Sequence, residues 1–96
     1  MARVVVSAAA QRDLRDLIRT RDLPPDTNER VKRSLRPLKS FPQLGAELSP
    51  SVDGRRFILG PWRWMIVVYR FLPERNLVAV VAIVDGRTST SPTANR

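Results

Sequence analysis

Few kinds of residue in this chain can do chemistry. Histidine and cysteine are both absent, which removes the commonest general base, the commonest metal ligand and every thiolate. That composition argues against a zinc enzyme or a Ser–His hydrolase and predicts no metal and no cofactor. A single tyrosine, Tyr69, is present. Arginine fills the space instead, making up 15 of the 17 basic residues. A guanidinium is a planar fork of donors that suits a phosphate, but it keeps its proton. It can stabilise developing negative charge and cannot serve as a base. One arginine sits in an unusual setting: in GPWRWMIVVYR, Arg63 lies between Trp62 and Trp64 at the head of an apolar run.

The net charge is +8, and it is uneven. Residues 1–54 carry 10 basic and 7 acidic side chains, residues 55–96 carry 7 and 2. A polyanionic partner, nucleic acid or an acidic protein, is the natural reading. Arginine enrichment from a GC-rich genome is the blander source of the same excess. With 96 residues and 43% hydrophobic content, the chain is expected to form one folded domain. No apolar run nears the ~18 residues of a membrane span. The N-terminal apolar stretch is too short for a secretory signal, so a cytoplasmic protein with no membrane partner is expected.

The positioning elements follow from periodicity. Arg3–Ser7 is short and β-branched and reads as a strand. Ser7 is placed to cap a helix from Ala8 to about Arg21, with Ala10, Leu14, Leu17 and Ile18 on one face. Pro24 and Pro25 break it. Asp26 and Glu29 then have capping-box spacing for a second helix that carries Val31, Leu35 and Leu38 inward. Pro37 ends or bends that helix near Arg36. Phe41–Gly54 reads as a loop, with Leu44 and Leu48 plugging the core. Arg55–Leu59, Trp62–Phe71 and Leu77–Val84 read as strands, the last an apolar run suited to burial on both faces. In a regular strand Trp62 and Trp64 share one face and Arg63 takes the other. The order β-α-α-β-β-β predicts an α+β fold, two N-terminal helices on one face of a small, mainly antiparallel sheet. The domain is expected to span 1–87, with 88–96 a polar tail.

Several of these residues, in this order, resemble the RelE/ParE superfamily of bacterial type II toxins. The resemblance runs from Val4 to about Arg87. It rests on Ser7, Ala10, Asp13 and Leu14 in the first helix, and on Pro42, Gly45 and Leu48 in FPQLGAEL. It continues through Arg56, Gly60, Trp62 and Arg63 to the apolar strand ending at Arg87. The resemblance implies a toxin neutralised by a cognate antitoxin. In the ribonuclease branch it implies cleavage of mRNA on the ribosome by attack of the 2′-hydroxyl. Basic residues on the central strands form that branch's catalytic surface, which by position are Arg56, Arg63 and Arg87 here. Arg55, Trp62, Arg33 and Arg36 are the further candidates for RNA contact. The ParE-like branch implies binding to DNA gyrase instead. The short helical hairpin matches the ribonuclease branch better, and a catalytically degenerate binding protein is a third reading.

The chemistry of such a site is plain. Fixed guanidinium groups aimed at the scissile phosphate stabilise its charge in the transition state, each worth ~3–4 kcal/mol. They leave the proton acceptor unassigned. Where the family often has a tyrosine near the C-terminus, this chain has Thr88, Ser89, Thr90 and Ser91. Asp85 is the one nearby carboxylate and a weak candidate for taking the 2′-proton. Its plainer role is the Asp-Gly turn that ends the strand.

Overall fold

The computed structural model describes residues 1–47 and 55–87. Five strands form one sheet: β1 (Arg3–Val6), β2 (Ala46–Glu47), β3 (Arg55–Leu59), β4 (Met65–Leu72) and β5 (Leu77–Asp85). Three helices precede β2: α1 (Ala8–Thr20), α2 (Thr27–Leu35) and the single turn α3 (Pro37–Ser40). The spatial order is β1-β5-β4-β3-β2. β1 runs parallel to β5, and the other three pairings are antiparallel. This is the expected α+β layer arrangement. None of the described helices is long and apolar enough to cross a membrane.

The core lies between the helices and one face of the sheet. Met65, Val67 and Tyr69 of β4 and Val78, Val80 and Ile83 of β5 pack with Ala10, Leu14, Val31, Leu35 and Leu38. Val80 and Ile83 are three apart, yet both are buried. A register shift explains this: Tyr69 pairs with Val80 but Val68 with Ala82, leaving Val81 as an extra residue. Such a bulge resets the alternation. A run that is apolar at nearly every position can absorb the shift, because neither face of it must be polar.

Each residue of the first-helix pattern has a physical task. The Ser7 hydroxyl accepts from the Ala10 N–H at 3.1 Å and caps α1. Ala10 is fully buried, and its small side chain lets α1 approach the sheet. β1 stops pairing at Val80, so the Ile83 N–H beyond it lacks a strand partner there. It donates to Asp13 Oδ2 at 3.1 Å. Leu14 completes the buried face.

Four expectations need correction. The Phe41–Gly54 stretch is not all loop, since Ala46–Glu47 pairs with β3 as an edge strand. Leu44 does not plug the core; it is 58% exposed. Leu48 and the 88–96 tail lie outside the described residues. α2 starts where Asp26 and Glu29 indicated, but Asp26 makes no side-chain cap, because its carboxylate accepts from Arg30 Nε instead. Finally, β4 begins at Met65, not Trp62. Gly60 donates to Met65 O and Met65 to Trp62 O, so residues 60–65 form a turn. The two-residue alternation therefore does not reach Trp62, Arg63 and Trp64. Pro37 behaves as expected: α2 ends at Leu35, and Pro37 opens the separate turn α3.

Gly45 is held by the core. Its N–H donates to the buried Tyr69 Oη at 2.9 Å. A Cβ there would stand 2.5 Å from Phe57 O and 2.8 Å from Tyr69 Oη. Gly45→Ala should therefore cost about 1–3 kcal/mol through overpacking, read as a lower urea midpoint. Tyr69→Phe should lose a comparable ~1–3 kcal/mol, because it leaves the Gly45 N–H buried without an acceptor.

Candidate functional site

The ends of β4 and β5 define the site. Asp85 pairs with Met65 across the sheet, so the turn before Met65 and the turn after Asp85 lie side by side. Gly86 N donates to Trp64 O at 2.6 Å and locks the two turns together. A Cβ on Gly86 would sit 3.0 Å from Ile66, so glycine permits this close approach. Arg63, Trp64, Ile66, Gly86 and Arg87 line the resulting open groove of about 520 Å³.

Its two arginines are held differently. Arg63 is exposed and makes no ion pair or side-chain hydrogen bond among the described residues. Arg87 is gripped. Its Nε donates to Asp85 Oδ1 at 3.1 Å and its Nη2 to Oδ2 at 3.0 Å. The Arg87 backbone N–H adds a third bond to Oδ1 at 2.9 Å. Its guanidinium also lies over the Trp64 ring, 4.6 Å from the centroid.

Asp85 has a second partner, Arg21 at the end of α1, whose Nε reaches Oδ2 at 3.0 Å. The Asp85 side chain is 3% exposed, against 38% for Arg21 and 59% for Arg87. Hydrogen bonds from Arg87 hold the Asp85 carboxyl down at about 2, against the opposing effect of burial. A carboxylate this acidic, already surrounded by donors, suits holding arginines in place better than taking a proton. The remaining titratable candidate, Tyr69, is fully buried on the helix side, and burial pushes its hydroxyl up.

Arg56 stands apart from this groove. It pairs with Tyr69, four residues along β4 from Met65, or ~13 Å at strand spacing. Its Nη1 donates to Gly45 O at 2.8 Å and Gln43 O at 3.4 Å, and its Nη2 approaches Glu47 at 3.6 Å. These contacts tie the loop before β2 to β3. Arg56 does not meet Arg63, because the turn at residues 60–65 leads toward Gly86 while Arg56 lies at the other end of β3.

The further candidates are also dispersed. Arg55 pairs opposite Arg70 at the start of β3. Arg33 shares a groove with Asp26, Arg30, Ser34 and Pro61. Arg36 lines another with Val4, Val6, Lys32, Leu35 and Lys39. Trp62 packs against the core and stacks on Trp64 at 6.0 Å between centroids. Arg30 lies 5.7 Å from the Trp62 ring centre. These contacts make Trp62 a packing residue that links α2 to the groove wall. Arg30 and Arg21 were not legible as site residues, since each looks in sequence like one more solvated arginine on a helix. Among the described residues, no three potential metal ligands cluster.

No protein-family model matches the chain, and no curated protein matches it. Solved structures do. A chain in the crystal structure of the intact E. coli RelBE toxin–antitoxin complex superposes with a TM-score of 0.67 at 16% identity. That match covers 88% of this chain and 96% of the other. The isolated E. coli RelE toxin matches with a TM-score of 0.64 at 18% identity, covering 94% and 89%. A double arginine-to-alanine mutant of E. coli RelE in the free state gives 0.62 at 20%, covering 93% and 88%. The chain therefore has the RelE-like toxin fold.

Two measurements probe these assignments. Arg56→Ala should lower stability by about 1–2 kcal/mol through lost hydrogen bonds, seen as a lower urea midpoint, with Arg63 and Arg87 undisturbed. Asp85 should contribute a pH-dependent increment. Its folded value lies below its ordinary 3.8, so the increment is present above about pH 4 and lost as pH falls toward 2. Between pH 5 and 2.5 the melting temperature of the native chain should fall further than that of Asp85→Asn.

Proposed function

We propose that this chain is the toxin of a type II toxin–antitoxin pair and that it cuts mRNA on the ribosome. The observation that carries this reading is the convergence of Arg63 and Arg87 on one groove at the end of a RelE-like sheet. Two guanidinium groups there suit a phosphate with bases free to lie along the open groove. The 2′-oxygen attacks the adjacent phosphorus, and the bond to the 5′-oxygen breaks. Arg63 and Arg87 stabilise the charge on the non-bridging and leaving oxygens, the 2′-proton passes to water, and water protonates the departing 5′-oxygen. The described groove residues include no base, so the ribosome supplies the in-line geometry and arginine the electrostatics. Arg56 then acts through the fold, by tying the loop at Gly45.

The same lack of a base among the described groove residues favours a second reading, a toxin that acts by binding a protein such as DNA gyrase. Under either reading the partner that restrains it is an antitoxin, and a net charge of +8 suits an acidic one.

Induced expression in bacteria, with transcript ends mapped, separates the two. The expected result is growth arrest with cuts phased to the reading frame. Arg63→Ala should reduce cutting about 10²-fold or more, while Arg56→Ala should reduce it only as far as it lowers the amount of folded protein. Intact transcripts together with gyrase-linked DNA breaks would overturn the nuclease reading.

A further inference from the structure

Asp85 is the only buried acid among the described residues of a strongly basic chain. It closes β5 at the point where the groove begins. Both of its oxygens are engaged, Oδ1 by the Arg87 N–H and Nε, Oδ2 by Arg87 Nη2 and by Arg21. The two parallel side-chain bonds to Arg87 form a fork-on-fork pair, which fixes the plane of a guanidinium as well as its position. The Trp64 ring then covers that plane at 4.6 Å. Arg87 is thus held by one edge and one face, while Nη1 stays uncommitted among the described residues.

A solvated arginine loses its rotamer freedom when it grips a ligand. Here the fork to Asp85 and the Trp64 ring already restrict that freedom in the folded chain. Asp85 alone would cancel the charge it orients. Arg21 carries a second positive charge to the same carboxylate, at 2.9 Å through Nη2, so the three groups together remain net positive.

The geometry points to Asp85 as a positioning residue that aims Arg87 at the phosphate of a bound RNA strand, with Arg21 steadying the carboxylate from the end of α1. This rests on the ribonuclease reading above.

Single-turnover cleavage of mRNA on programmed ribosomes tests it, beside NMR of the arginine Nε–H groups in the free protein. Asp85→Asn should cut about 10–100-fold more slowly, as expected for a misaimed group. Its half-saturating ribosome concentration should stay within about threefold, because the groove and Arg63 remain. Asp85→Glu should recover part of the rate. In an Arg87→Ala background, Asp85→Asn should add nothing. The Arg87 Nε–H should be protected from exchange in the native chain and lose that protection in Asp85→Asn. Should Asp85→Asn fail to fold, Arg21→Gln carries the test at a half-exposed position, with a smaller loss of about 3–10-fold.

Native cleavage rates in Asp85→Asn, or an undiminished Asp85 effect without Arg87, would overturn the proposal. If the native chain cuts no mRNA, the ribonuclease reading falls on its own. The NMR comparison then decides the positioning: retained protection in Asp85→Asn overturns it, and lost protection sustains it.

Discussion

The groove depends on the insertion of β5 between β1 and β4. A parallel neighbour cannot be reached by a tight turn, and in this chain the crossover between β1 and β5 takes in all the other elements. Within that crossover the helices fold back on the sheet and bury their apolar stripes. The last strand then enters between two others, with one register fixed by β1 and another by β4. The bulge at Val81 reconciles the two. Because β5 is pinned along its length, its final residue is pinned too. Asp85 therefore sits beside Met65, and the turns bearing Arg63 and Arg87 meet.

In so basic a chain, an arginine is defined by what holds it. Carbonyl oxygens and Glu47 hold Arg56, which belongs to the loop before β2. Asp26 and Trp62 hold Arg30. A buried carboxylate and an indole hold Arg87. Arg63, exposed on its turn, makes none of these contacts among the described residues. The groove thus pairs one tethered cation with one solvent-facing cation. The tethered group supplies preorganisation.

The sequence reveals the layers of this fold because the local signals agree with the global answer. Ser7, Ala10, Asp13 and Leu14 could be recognised as a pattern, and the structure gives each a separate physical reason. Gly45 likewise stood in a recognisable pattern, but its close approach to Tyr69 is a tertiary fact with no local trace. Reading on from Pro61 fails at the two tryptophans for a similar reason. Trp-Arg-Trp has strand propensity, and only the hydrogen bonds around Met65 show that a turn wins. The partners of the arginines were least legible. Arg21 and Asp85 lie 64 residues apart, and nothing local distinguishes Arg21 from its exposed helical neighbours.

The start of the chain is fastened at the other end of the sheet. Asn76, in a left-handed conformation at the end of the β4–β5 connection, donates from its side chain to Met1 O and accepts from the Arg3 N–H. The length of β4, ~25 Å at strand spacing, separates that corner from Arg63 and Arg87. The two ends of the described chain are therefore unequal as handles. A fusion partner or surface linkage at Met1 leaves from the corner opposite the groove, whereas Arg87, the last described residue, lies in the groove itself. Immobilising the protein through its N-terminal side would present the arginine end outward.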